Sequence, residues 1–346
     1  PGASPYEDGA VDPNLKPFQQ TELTFGVERQ LGKNYVFRSR YTYKNVDEAV
    51  EDAGIVNSAG SEAYIIGNPG SGLHLQTLLD LGYERSTRPK RRYDGLEFVL
   101  EKRLSQHWYF NANYTFSRLH GNYTGLTSSD EPHLVDGRLS PGVSRAFDLP
   151  FIGFTAEGKP DNGPLPTDRP HVFNIYGAYI FDWMGSKANS TEFAFFQTVS
   201  SGTPMTTSIY GQSSVTPQVF YHRGDLGRSP TFSQTDVNFT HRVKFGADGR
   251  YSVALDLNLL NLWDQDTVTG VYPTMNTSTS RPNDAAMFPA ATAGERARLY
   301  ANGYTSGALL QPILDRFNAD PTNRLDQRYG MPQLYQSPRA VRFGVR

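Results

Sequence analysis

The 346-residue chain has no cysteine, which excludes a disulfide framework, a cysteine-ligated zinc site and a cysteine nucleophile. It also has little net charge: 33 Lys and Arg against 35 Asp and Glu leave −2 at neutral pH. The cations look scattered along the chain, so nothing marks a nucleic-acid binder. Long apolar runs are missing as well. A membrane-spanning helix needs about 20 predominantly apolar residues, whereas mean hydropathy here is −0.52. That excludes a helical span but not a strand, which needs only about 10 residues of alternating character. The first residue is Pro1, with no initiator Met, basic n-region or apolar h-region, as expected of a processed product or a fragment.

Catalytic signatures are equally scarce. There is no G-x-S-x-G elbow and no H-E-x-x-H helix, and the seven histidines are dispersed. Gly67, Gly70 and Gly72 match neither the dinucleotide nor the P-loop pattern and read as a flexible loop. Ser128, Ser129, Asp130, Glu131 and Asp136 offer oxygen ligands without EF-hand spacing, so solvated loop acids are the expectation rather than a calcium site. Sequons at Asn113 and Asn238 fall mid-strand and read as chance matches. No catalytic residue, cofactor or metal is expected.

What the chain does have is aromatic side chains: 20 Tyr, 21 Phe and 3 Trp, 13% of a polar sequence. They recur with period 2, the mark of a strand with two unlike faces. Trp108, Phe110, Ala112, Tyr114 and Phe116 alternate with Tyr109, Asn111, Asn113 and Thr115. Val237, Phe239, Val243 and Phe245 alternate with Asp236, Asn238, Thr240, Arg242 and Lys244. Tyr251, Val253, Leu255, Leu257 and Leu259 alternate with Ser252, Ala254, Asp256 and Asn258. Weaker versions run through Leu23 to Val27, Tyr35 to Lys44, Leu96 to Glu101, Phe173 to Phe181, Glu192 to Ser200 and Arg339 to Arg346. That makes nine strands.

Their connections alternate in length. Short ones (Leu31 to Asn34, Leu104 to His107, Asp182 to Asn189, Gly246 to Arg250) carry the Gly, Asn, Asp and Ser of tight turns. Long ones follow each strand pair: Val46 to Lys90, Leu119 to Arg169, Ser201 to Pro230 and Asp264 to Pro338. Short turns on one rim and long loops on the other characterise outer-membrane barrels. A soluble sandwich or propeller is the plainer alternative, but it would place Val, Ile and Leu inside. Loops beyond about 15 residues are also uncommon in compact soluble domains. In the last loop, Leu309, Leu310, Ile313, Leu314 and Phe317 have helical spacing, which predicts an amphipathic helix over about Ser306 to Asn318.

The fold expected is therefore all-β: a transmembrane antiparallel β-barrel with aromatics facing lipid and long extracellular loops. Asn111, Asn113, Asp236, Asn238, Arg242, Asp256 and Asn258 become candidate lumen-facing residues.

Several blocks resemble the C-terminal barrel of Oar-like TonB-dependent receptors. They are Asp12-Pro13-Asn14-Leu15-Lys16-Pro17 leading into Glu28-Arg29-Gln30-Leu31, and Tyr114-Thr115-Phe116-Ser117-Arg118 with Gly121-Asn122-Tyr123. Leu165-Pro166-Thr167-Asp168-Arg169-Pro170-His171, Ser201-Gly202-Thr203-Pro204 and Gly224-Asp225-Leu226-Gly227-Arg228-Ser229-Pro230-Thr231 complete the set. The resemblance runs from about Asp12 to Arg346. It implies a 22-stranded barrel in the bacterial outer membrane, of which residues 1–346 form the C-terminal portion. The early strands, plug domain and TonB box would lie outside this sequence. The partners implied are outer-membrane lipid, the remaining strands and plug, the TonB complex, and an unidentified large ligand at the extracellular loops. A structural or adhesive barrel whose loops bind a protein is the alternative.

Overall fold

Alternating side chains along the sequence become strands that present one apolar and one polar face. The computed structural model describes residues 9–57, 59–125, 147–210, 218–277, 290–302, 315, 319 and 326–346. Its principal strands are β2 (Gln19–Leu31), β3 (Tyr35–Glu48), β6 (Arg91–Ser105), β7 (Trp108–Gly121), β9 (His171–Asp182), β10 (Asn189–Ser200), β13 (Phe232–Phe245), β14 (Tyr251–Leu260) and β17 (Ala340–Val345). Each pairs antiparallel with the next, so the sheet order is the chain order from β2 to β17. The nine expected strands are these nine. Two-residue β8 (Gly163–Pro164) adds only to the end of β7. β2 and β17 lie at the two ends of the path.

Register keeps the faces apart. On the apolar face, Leu255, Leu257 and Leu259 oppose Val345, Phe343 and Val341, and the Phe193 and Phe239 rings lie 5.0 Å apart. Phe25 and Phe343 on this face are 68% and 82% exposed. At about 25 cal/mol per Å², such a wall needs an apolar medium against it.

The short connections all fall on one rim. Gln106 and His107 between β6 and β7 both have positive φ, 52° and 70°, as a two-residue type I′ turn requires. Lys102 secures that turn. Its Nζ donates to Ser105 O (2.9 Å), Ser105 Oγ (2.9 Å) and Trp108 O (2.7 Å) and lies 3.9 Å from the centre of the Trp108 ring. A lysine on the apolar face thereby satisfies its three donors within the protein.

The long connections are not extended loops. The first holds β4 (Glu51–Val56) and β5 (Glu62–Gly67), joined by β1 (Ala10–Val11), and helix α1 (Gly72–Asp80). The third holds β11 (Ser208–Ile209) and β12 (Gln218–Val219); the last holds β15 (Val268–Val271), helix α2 (Ala293–Asn302) and β16 (Pro332–Tyr335). They share one core. Ile55, Leu78 and Tyr83 from the first meet Phe151 and Phe154 from the second, Ile209 and Phe220 from the third, and Met275, Ala297 and Ala301 from the last. This cap holds the largest fully buried side chains among the described residues. The wall itself, with each face committed to a different environment, has no comparable interior.

One sequence expectation changes here. The glycine run is ordered: Gly67 ends β5, Gly70 turns with φ of 70°, and Gly72 opens α1. The period-free spacing of the run hid a helix start. The helix predicted over Ser306 to Asn318 lies, apart from Asp315, outside the described residues, as does the acidic run Ser128 to Asp136. No helix among the described residues is long and apolar enough to cross a membrane, which leaves strand spans untouched.

Candidate functional site

All seven candidate residues lie on the polar face, but they do not form one cluster. On β13 and β14, Asn238 Nδ2 donates to Asn258 Oδ1 at 2.8 Å. The Thr240 hydroxyl is 2.7 Å from Asp256 Oδ1 and 3.1 Å from Asn238 Oδ1. Arg346 closes this network with a two-pronged contact to Asp256 at 2.7 and 2.8 Å. Asp236, one step along β13, accepts from Gln234 Nε2 (2.9 Å) and from the Asn261 amide (2.8 Å). Arg242 lies opposite Ser190 and Ala254. Asn111 and Asn113 are on β7, separated from this network by β9 and β10. There Asn113 Oδ1 accepts from Asn174 Nδ2 at 3.1 Å.

The polar face of β2, β3 and β6 is charged instead, a feature the candidate set missed. Arg38 bridges Glu28 (2.6 Å) and Glu101 (3.0 Å), Arg40 meets Glu97 at 2.5 Å, and Lys44 meets Glu22 at 3.2 Å. A cleft of about 540 Å³ opens beside them, where Gly95 lacks a side chain and Tyr93 folds over it. The sign alternation of Glu22, Glu28, Arg38, Arg40, Glu97 and Glu101 was visible in the sequence; only the strand order makes it a ladder. Exposed pairs of this kind contribute about 0–1 kcal/mol each, so the ladder shapes polarity more than stability. Aromatics are present on this face too: the register sets Tyr176 of β9 opposite Phe196 of β10, while Tyr109 of β7 stands opposite Ala178.

Where the wall meets the cap, three of the sequence blocks converge. Buried Asp168 accepts from the Leu119 amide at 2.5 Å and from the Arg228 guanidinium. Arg228 also donates to the Gly202 carbonyl at 3.1 Å. Arg169 donates to Ser200 Oγ and to the Ser201 carbonyl, both at 3.0 Å. Gly202 passes so close to Ser229 that a Cβ there would overlap the Ser229 carbonyl. Nearby, Arg223 and Asp161 form a fully buried ion pair at 2.8 Å. The Asp12 block works the same way on the first connection. Asp12 Oδ2 accepts from the Leu73 amide at 2.8 Å and so caps α1 from the residue just after β1. Asn68 meanwhile exchanges hydrogen bonds with the Lys16 backbone.

His74 of α1 is sealed inside the cap. Its Nδ1 accepts from the Gly70 amide at 3.0 Å, and Nε2 faces the Gly54 carbonyl at 3.2 Å. Burial lowers its pKa to about 4, only partly offset by the Gly54 carbonyl, so the ring is neutral and serves structure. Among the described residues no three His, Asp or Glu side chains gather as metal ligands.

A family model described as an outer membrane beta barrel domain matches residues 3–238, well over half of the chain. The chain belongs to that outer-membrane β-barrel family. Over 343 residues this barrel is 29% identical to the TonB-dependent transporter Oar of Myxococcus xanthus, covering 97% of this chain and 29% of that protein. It thus spans less than a third of that relative's length. Among solved structures it is similar to the ferric-catecholate import receptor Fiu of Escherichia coli K12 in its closed form. That match has 14% identity and a TM-score of 0.37, over 77% of this chain and 27% of that one. It is also similar to the outer membrane transporter YddB of Escherichia coli, at 14% identity and a TM-score of 0.42, over 77% and 32%. The wall is a barrel segment of the bacterial outer membrane, and its apolar face is the face presented to lipid.

Proposed function

We propose that the chain is the C-terminal portion of the barrel of a TonB-dependent outer-membrane transporter that takes up or handles a large ligand. The observation that carries this reading is the similarity to Oar along nearly the whole chain. The charged ladder and the amide network would then line the lumen against a plug domain, with Asn111, Asn113, Asp236, Asn238, Arg242, Asp256 and Asn258 among the lining residues. The remaining strands would pair with β2 and β17, because an unpaired strand edge in lipid costs several kcal/mol per backbone group. Energy would come from the TonB complex acting on an N-terminal segment, and the ligand would meet the long loops first. Transport of this kind is conformational and calls for no catalytic residue.

The folded cap favours one further reading, an adhesive barrel whose fixed loop surface binds a protein. Both are tested on protein from its native outer membrane. Peptide mapping of the intact species should reveal a chain roughly three times this length, as the 29% share of Oar implies, with a plug and TonB box. Photocrosslinking should join that box to TonB. A mature chain that starts at Pro1 would overturn the transporter reading and leave the adhesive one.

A further inference from the structure

The apolar face of β6 and β7 ends abruptly towards the long-loop rim. Successive cross-strand pairs on that face are Leu100 with Ala112, Phe98 with Tyr114, Leu96 with Phe116, then Asp94 with Arg118 and Arg92 with His120. Three apolar or aromatic rows give way to charge within one step. Arg92 lies 5.1 Å from the centre of the Tyr43 ring and is held by Asp94 at 2.8 Å, which also accepts from the Tyr41 hydroxyl at 2.9 Å. The other acid on this face nearby, Asp47, is occupied by Thr21 and Asn45. Arg118 and Lys90 are exposed; Arg118 stands opposite Asp94, whose carboxylate is already held by Arg92, so the two arginines share one acid. The same face of β14 and β17 at this rim carries Leu259 and Val341, so the cations are local to β6 and β7. They look scattered in the sequence because Arg118 is brought beside Arg92 only by strand pairing.

We propose that Arg92 and Arg118, standing above Tyr41, Tyr114 and Phe116, together with exposed Lys90 two residues before Arg92, bind the phosphate groups of the glycolipid that forms the outer leaflet. The location fits that occupant. A lipid-facing wall places its charge boundary at the headgroups, aromatic rings mark the interface below it, and cations just above it attract anionic headgroups. The inference rests on the outer-membrane placement and not on transport, so it stands or falls separately from TonB crosslinking.

The test uses the full-length protein, delipidated in detergent and followed by native mass spectrometry with added bis-phosphorylated or dephosphorylated lipid A. The phosphorylated lipid should bind and the dephosphorylated one should bind at least several-fold more weakly. Combining Lys90→Gln with Arg118→Gln should weaken the phosphorylated lipid roughly tenfold or more, the size expected from two surface cations. Lys187→Gln with Arg250→Gln, at the opposite rim, should leave it unchanged, and heat-modifiable gel migration reports that each variant is folded. Equal binding of the two lipids, or an unaffected Lys90/Arg118 variant, overturns the proposal. Full displacement by inorganic phosphate would also overturn it, since the site would then recognise the free anion and not a lipid.

Discussion

Because one core is built from all four long connections, removing a side chain contributed by one should expose a residue contributed by another. Phe220, from the third, is fully buried, and so is Ala297, from α2 in the fourth. Truncating a buried Phe to Ala costs about 3–5 kcal/mol through lost transfer energy and the cavity left behind. At 1.36 kcal/mol per tenfold, that multiplies the open fraction of the cap by roughly 10² to several times 10³. Residues 1–346 hold no cysteine, so in a full-length background with any cysteine elsewhere replaced, an Ala297→Cys reporter on intact cells can be labelled selectively with a membrane-impermeant maleimide. In the parent background the thiol should react slowly. With Phe220→Ala its rate should rise by the factor above while the barrel keeps its heat-modifiable migration. An unchanged rate would show that the connections open independently, and the single-core reading would fail.

Two more outcomes follow from the faces and from the cap. Leu257→Lys, between Phe239 and Phe343 on the apolar face, should destabilise the full-length barrel by about 2–4 kcal/mol in urea titrations in lipid vesicles. Asn258→Lys, one residue on and facing the other way, loses only the hydrogen bond from Asn238 and should cost about 0.5–1.5 kcal/mol. His74 titrates near 4 when folded against 6.5 when unfolded. Its pKa is depressed, so the unfolded cap gains the proton first, and stability is lost as pH falls from 6.5 through 4. The full loss is about 3 kcal/mol. Labelling of the Ala297→Cys reporter, normalised to a Lys159→Cys thiol exposed on the second long connection, should accelerate across that window, and His74→Asn should flatten the response.

The wall was legible in the sequence because a strand between two media writes its environment into every second residue. Leu255, Leu257 and Leu259 against Asp256 and Asn258 fix a strand, a register parity and two faces without any distant contact. The polar candidates were placed on a face for the same reason. Their grouping was not legible: whether Asn113 meets Asn174 or Asn258 depends on strand order, not on spacing. The cap was hidden altogether. Ile55, Phe151, Phe220 and Ala297 are about 70 to 100 positions apart, and each stands in a segment with no sustained period, so nothing local announces that they touch. Gly202 likewise reads as an ordinary turn residue until Ser229, 27 positions on, is found against it.

The blocks that carried the family resemblance take on a physical meaning from this division. Asp12 caps α1, Asp168 and Arg228 tie the Leu119 amide to the Gly202 carbonyl, and Arg169 binds the start of the third connection. Each of these groups spends its hydrogen bonds on the seam between wall and cap, and a buried charge such as Asp168 could not be redirected to a ligand without leaving Arg228 and the Leu119 amide unsatisfied. Residues that build the seam are therefore poor candidates for recognition. On the proposed transport reading, ligand choice rests with side chains the scaffold leaves uncommitted, on the outward surface of the cap and on the polar face of the strands. Those are the segments whose composition the seam does not constrain. A family of such barrels can thus keep one seam and vary what it presents to the outside.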